Sequence, residues 1–391
     1  MTMPQPSEGY GRRLLPLLAD GLRDRLRGEH GRANARWGHV RAPAGTGKLI
    51  WLKTGAGEQS VHLGAELLAA IRHKRLDVRL VLTFEQDFPT LVNEHLAGLE
   101  KVGVGYGPCD APRAVRRTLG RLDPFAIIWV DGAPDPNLSK AAGDDSRHTV
   151  VFAAPPAASP TRVEAADPAT PAQAHAWQQT GGADYIAPVA DFRTLLVEAQ
   201  VEPTLRGLVC AGRDLDLWWF HGADAPSVHA AASQWRRCPL ASSGVLFVSA
   251  EADDVGDLGA DLLISTWTRT GLAPGTVVAV DEARWTAAVA TAAHGQHLSG
   301  ARSEVLWQAL AVGTPTSVSP DLDRELSQRM AEPPPLPVAD TFDALLINWQ
   351  HWHDDPASAR RLGDRCRRRF WDERRRAAAV LEELLQRVFD W

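Results

Sequence analysis

Apolar positions set the first expectations along the chain. From residue 10 to 31, Leu14, Leu15, Leu18, Leu22 and Leu26 recur at helical spacing. The other face carries Arg12, Arg13, Arg23, Arg25 and Arg27. A basic amphipathic helix of this kind can lie on an anionic membrane or pack on its own domain, and the pattern leaves both open. Short apolar runs then alternate with helical stretches. Strands are expected at Leu49–Lys53, Val78–Thr83, Gly103–Tyr106, Phe125–Val130 and Thr149–Phe152. Helices are expected at Val61–His73, Leu91–Leu99 and Pro112–Leu122. Apolar strands alternating with helices predict a parallel sheet covered on both faces. Residues 153–182, rich in Ala and Pro, read as a long surface excursion.

A second α/β layer follows a linker near Glu198–Arg206. Its strand-like runs are Gly207–Cys210, Leu217–Phe220, Gly244–Val248, Asp261–Ser265 and Val277–Val280, with a helix at Ser227–Trp235. Pro333–Pro335 marks a loop, and Asp355–Trp391 reads as one or two Arg-rich helices. The expected organisation is a basic N-terminal helix and linker over 1–40, a Rossmann-like domain over 41–200 and a second over 201–391. Ligands of such sheets bind beyond the carboxyl ends of the strands, here in an interdomain cleft.

Composition narrows the picture. The 391 residues are 45% hydrophobic and 23% charged, which is globular and too long for one ordinary core. A net charge of −6 argues against a nucleic-acid-binding surface spread over the whole chain. No run approaches the length of a membrane helix, and Asp20, Arg23 and Arg25 interrupt the N-terminal apolar stretch, unlike a secretory signal. Cys109, Cys210, Cys238 and Cys366 are far apart, without redox or metal spacing, which suits a reducing compartment. The 14 Trp against 3 Tyr suit core packing or sugar stacking.

Candidate chemistry sits in two turns. Ala42–Leu49 looks like a phosphate loop but precedes a strand and lacks Ser or Thr after Lys48, so it is read as a linker. The turn Lys53-Thr54-Gly55-Ala56-Gly57-Glu58 lies between a strand and a helix. Its glycines let a substrate approach the backbone, and Glu58 at the helix N-terminus is either a general base or only a capping residue. The turn Ser299-Gly300-Ala301-Arg302-Ser303-Glu304 precedes a helix over Val305–Val312, an arrangement that suits a phosphate or an ordinary cap. His294 with His297, and His351 with His353, lack a third ligand in register, so no metal site is expected.

In this order the pieces resemble the 3-deoxy-D-manno-octulosonic acid (Kdo) transferases of lipopolysaccharide synthesis. The likeness starts in Leu22–Gly38 and runs through Ile50–Glu58, where that family has an aromatic-rich strand ending in Ser-Val-Gly-Glu. It continues through Gly107-Pro108-Cys109-Asp110-Ala111-Pro112-Arg113 and Asp123-Pro124. Asp131-Gly132-Ala133-Pro134-Asp135-Pro136-Asn137-Leu138 stands where the family has Glu-x-Glu-x-Trp-Pro-Asn-Leu. In the second half it rests on Gln308-Ala309 to Gly313-Thr314-Pro315. The resemblance implies a GT-B fold, with two Rossmann-like domains, and inverting transfer of Kdo from CMP-Kdo to a lipid A precursor without metal or cofactor. It implies Glu58 as base, Gly55, Gly57, Asp131 and Asn137 on substrate, and Ser299, Gly300, Arg302, Ser303 and Gln308 on the nucleotide. It also implies peripheral residence at the cytoplasmic face of the inner membrane. Several motif positions differ: Gly55 replaces Ser, Asp131, Ala133 and Asp135 replace Glu, Glu and Trp, and Phe152-Ala153-Ala154-Pro155 replaces Asn-Ala-Arg. Ser249-Ala250-Glu251 replaces Arg-His-Pro, and Ser303-Glu304-Val305 with Gln308 replaces Gly-Gly-His-Asn-x-x-Glu. These differences keep two alternatives open, a homologue without transferase activity that binds a lipid A intermediate or a partner enzyme, and a transferase using another nucleotide sugar.

Overall fold

The computed structural model describes residues 21–197, 204–250, 258–267, 271–281, 285–300, 303–320 and 335–391. The chain divides into two compact units, 1–192 with 376–391 and 193–375. Each is a parallel α/β sheet.

In the first unit the strands are β1 (Leu49–Thr54), β2 (Arg79–Phe84), β3 (Val102–Tyr106), β4 (Ala126–Val130), β5 (His148–Phe152), β6 (Val163–Asp167) and β7 (Ala183–Ile186). Their order is β3-β2-β1-β4-β5-β6-β7, all parallel. The order reverses between β1 and β4, which makes their carboxyl ends the topological switch point. Helices α1 (His30–Arg36), α2 (Glu58–Lys74), α3 (Pro89–Leu96), α4 (Pro112–Leu122), α5 (Pro136–Asp144) and α6 (Pro171–Thr180) accompany the sheet. Proline opens α3, α4, α5 and α6, where its missing N–H costs nothing. Strand β4 is buried at all five positions, as a sheet covered on both faces requires.

The second unit holds β8 (Asp216–Gly222), β9 (Gly244–Ala250), β10 (Leu262–Leu263), β11 (Val277–Ala279), β12 (Gly295–Leu298) and β13 (Thr316–Val318) in the order β10-β11-β9-β8-β12-β13, again parallel. Its switch point lies between β8 and β12. The helices are α7 (Thr204–Cys210), α8 (Ala225–Trp235), α9 (Thr286–Ala292), α10 (Ser303–Ala311) and α11 (Phe342–Asp354). A final helix, α12 (Pro356–Asp390), starts in this unit and ends in the first, to which residues 376–391 belong. Eight of the 14 tryptophans are less than 2% exposed, which marks them as core residues.

Several expectations change. The N-terminal helix does not run unbroken to residue 31. Residues 21–26 are helical, Gly28 turns the chain at φ +79°, and α1 restarts at His30. Leu22 and Leu26 face solvent while Asp24 is buried on Arg36 (2.6 Å). Residues 153–182 are not an excursion, because they supply β6 and α6. Their small side chains hide the strand pattern, yet Val163, Ala165, Ala166 and Trp177 are buried. Gly207–Cys210 is helical rather than extended, and Asp261–Ser265 shrinks to the two-residue β10 with a helical turn. Strands β12 and β13 carry Gly, Gln, His, Thr and Ser, so no apolar run announces them. The linker residues 198–203 and the prolines 333 and 334 lie outside the described residues. The sequence boundary near 200 compares with a division at 192/193. The last turns of α12 join the first unit because Arg387 pairs with the fully buried Asp167 (2.6 Å) and Trp391 stacks on His148.

Candidate functional site

At the switch point of the first unit, two loops cross with almost no space between them. A Cβ on Gly55 would stand 2.2 Å from the Asp131 carbonyl oxygen, and one on Gly132 would stand 3.0 Å from the Gly55 Cα. Gly55 therefore makes room for the neighbouring loop, and the Ser of the resembled motif has no space here. Gly57 differs. It has φ +108° and nothing within 4 Å of a built Cβ, so its open side faces free space. Glu58 is the first residue of α2 and is exposed. Asp131, at φ +50°, holds a left-handed conformation that a non-glycine residue adopts at a cost. Its Oδ2 accepts a hydrogen bond from the Ser60 hydroxyl (2.7 Å), tying the β4 loop to the first turn of α2.

Beneath these loops lies a charge network that the sequence reading missed. Lys53 Nζ sits 2.7 Å from Asp135 Oδ2, which also accepts from Trp129 Nε1 (3.0 Å). Asp135 stands where the resembled motif has Trp, and Lys53 neutralises it. The Asp110 carboxylate accepts from the backbone N–H groups of Asn137 (3.0 Å) and Leu138 (2.9 Å). The Asn137 amide donates to the Asp110 carbonyl (2.6 Å), so it joins the β3 and β4 loops. Burial first, and then the neighbouring Asp135, push Asp110 up to about 6 against those N–H donors and Lys53. Burial also pushes Glu85 up, opposed by Lys53 and reinforced by Asp135. For Lys53 burial works against the charge, yet Asp135, Glu85 and Asp110 outweigh it and the net shift is upward. A small pocket of about 20 Å³, room for one water, lies beyond the ends of β1 to β3 and is lined by Arg32, Arg36, Lys53, Glu85, Tyr106 and Cys109 among others. The available signal was Lys53 following four apolar residues in β1, with five acidic residues in the loops after β2, β3 and β4.

In the second unit the switch point gathers His221 and Gly222, the last residues of β8, with Ser299 and Gly300 after β12. The Ser299 N–H donates to the His221 carbonyl (2.8 Å). A Cβ on Gly300 would stand 2.5 Å from Ala223 Cβ, and one on Gly222 would stand 2.6 Å from Val228 Cγ2. Gly300 lets the two loops meet, Gly222 makes room for the first turn of α8, and Ser299 is buried. Helix α10 begins at Ser303 and carries Gln308, which is partly buried. Arg302 lies outside the described residues. His221 Nδ1 and Trp219 Nε1 both reach the Ser249 hydroxyl (2.8 and 3.0 Å). Sequence reasoning overlooked His221 because it ends an apolar run.

Among the described residues, neither histidine pair named from sequence belongs to a group with metal-ligand spacing. His297 faces Ser317 (3.0 Å), and burial lowers it to about 4. His353 and His294 approach Asp216 (2.9 and 3.6 Å) at the opposite, amino end of β8. Among the described residues the group that does gather is His62, Glu66 and His95, on α2 and α3.

No protein-family model and no curated protein sequence matches the chain. Solved structures do. UDP-GlcNAc 2-epimerase from Neisseria meningitidis, bound to UDP-GlcNAc, is 8% identical, with a TM-score of 0.55 over 87% of this chain and all of that one. Anabaena HepE in complex with UDP is 12% identical, with a TM-score of 0.54 over 88% of this chain and all of that one. The glycotransferase of kitacinnamycin is 12% identical, with a TM-score of 0.50 over 86% of this chain and 99% of that one. At such identities the likeness defines the fold, two Rossmann-like units of the GT-B class.

Proposed function

We propose that this protein is a GT-B enzyme that handles a nucleotide sugar, transferring its glycosyl group to an acceptor hydroxyl. One observation carries the reading. Each unit places glycine-bearing loops and the start of a helix at its switch point, where open α/β sheets bind ligands. Helix α10 would receive the nucleotide phosphate at its N-terminal N–H groups, with Gln308 on the nucleoside. Glu58 would take the proton of the acceptor hydroxyl as that oxygen bonds the anomeric carbon. The bond from that carbon to the phosphate oxygen breaks, its electrons leave with the nucleotide, and the configuration inverts. Gly57 leaves the backbone beside Glu58 open to the acceptor, and Asp131 acts by fixing the loop.

For the donor we infer Kdo from CMP-Kdo, with a lipid A precursor as acceptor at the inner membrane, on the strength of the sequence resemblance. A UDP-sugar is the second reading, favoured by the UDP and UDP-GlcNAc held by structures of the same fold. Calorimetry with CMP and with UDP on the full chain, wild type beside Gln308→Ala, separates the two. Saturable CMP binding weakened by the substitution supports the first, and UDP binding alone supports the second. Binding of neither nucleotide up to millimolar concentration would refute both and leave a homologue without transferase activity. With the donor identified, Glu58→Gln should abolish turnover while leaving nucleotide affinity unchanged, and retention of turnover would remove Glu58 as the base.

A further inference from the structure

We propose that His62, Glu66 and His95 bind one divalent transition-metal ion of the zinc type, clipping α3 to α2. His62 and Glu66 are four residues apart on α2 and so share one face. His95 comes from the last turn of α3, and its Nδ1 lies 2.8 Å from Glu66 Oε1. The two imidazole rings are 4.6 Å apart between centroids, tilted by 43°. Donor atoms of all three residues lie within 4.8 Å of one another. With zinc bonds of 2.0–2.1 Å, tetrahedral ligands stand roughly 3.4 Å apart, so small side-chain rotations close the set.

The donors decide the class of ion. Two imidazoles and one carboxylate suit Zn²⁺, Co²⁺ or Ni²⁺, whereas Ca²⁺ and Mg²⁺ prefer oxygen throughout. All three side chains are half-buried, so an ion can enter from solvent and a water can fill the fourth position. Without an ion, the same residues form a His95–Glu66 hydrogen bond beside a packed His62. The clip would bear on function through α2, whose first residue is Glu58.

The test is a Co²⁺ titration of the full-length, chelator-treated protein, followed by visible absorption and then by displacement with Zn²⁺. One equivalent should bind with a four-coordinate spectrum and raise the melting temperature. His62→Gln and His95→Gln should each weaken binding at least ~100-fold, since even partners outside the coordination shell are worth 10–100-fold. His73→Gln, on the exposed His73 of the same helix, should leave it unchanged. No saturable uptake at micromolar metal, or uptake that survives both substitutions, would overturn the proposal. Should the histidine variants fail to fold, zinc-edge X-ray absorption on the wild type decides, because a spectrum without imidazole scattering overturns it equally.

Discussion

Replacing Lys53 by Met isolates the charge network under the candidate site. Met matches the aliphatic stem and removes the ammonium. Lys53 is 11% exposed and Asp135 7%, and their 2.7 Å contact is worth about 6 kcal/mol of attraction at an effective dielectric near 20, before desolvation is subtracted. Removing one member of such a pair typically costs about 3–5 kcal/mol, because the other charge stays buried without its counter-ion. Here Asp135, Glu85 and Asp110 would be left facing one another. Burial raises the pKa of Glu85 and Asp110, and their protonation relieves the repulsion, so the cost should be largest near pH 8 and smaller near pH 5. Asp110, already raised to about 6, is then largely neutral. Urea denaturation at both pH values measures this. Lys53→Met with Asp135→Leu should recover part of the loss and reveal a coupling energy above about 1 kcal/mol. A loss below about 1 kcal/mol, equal at both pH values, or strict additivity in the double variant, would refute the reasoning.

Three further outcomes follow from the same structure. Gly55→Ala puts a Cβ 2.2 Å from the Asp131 carbonyl and should destabilise by more than about 2 kcal/mol in thermal melts, and Gly57→Ala should cost about 1–3 kcal/mol from its backbone conformation alone, at φ +108° and ψ 162°. Arg387→Met strips the counter-ion from fully buried Asp167 and should cost about 3–5 kcal/mol at pH 8, partly regained near pH 5, as read by denaturant titration. Asp110 and Asp167 both have native pKa values near 6, above the ordinary carboxylate value of about 4. The native state therefore keeps protons that the unfolded chain has released. Their contribution is greatest below about pH 4 and is lost as pH rises through 6, by up to about 3 kcal/mol each. A stability profile rising across that window would contradict both assignments.

The sequence by itself determined the class of fold. Apolar runs at β1, β2, β4, β5, β8 and β9 declare themselves because strands buried on both faces must be apolar along their whole length. The same signal failed at β6, whose Val-Glu-Ala-Ala-Asp has small side chains, and at β12 and β13, whose polar groups find partners only in the folded sheet. The position of Glu58 at the head of α2 was legible from the strand–glycine–helix order, since that order is local. Tertiary structure decided what surrounds it. That Gly55 is held against Asp131, that Asn137 braces Asp110 and that Lys53 answers Asp135 all depend on the carboxyl ends of β1, β3 and β4 and their loops meeting at one end of a sheet. No spacing along the chain encodes that meeting. The His62–Glu66–His95 cluster shows the same division, with two members four residues apart on one helix and the third placed beside them only by the packing of α3 on α2.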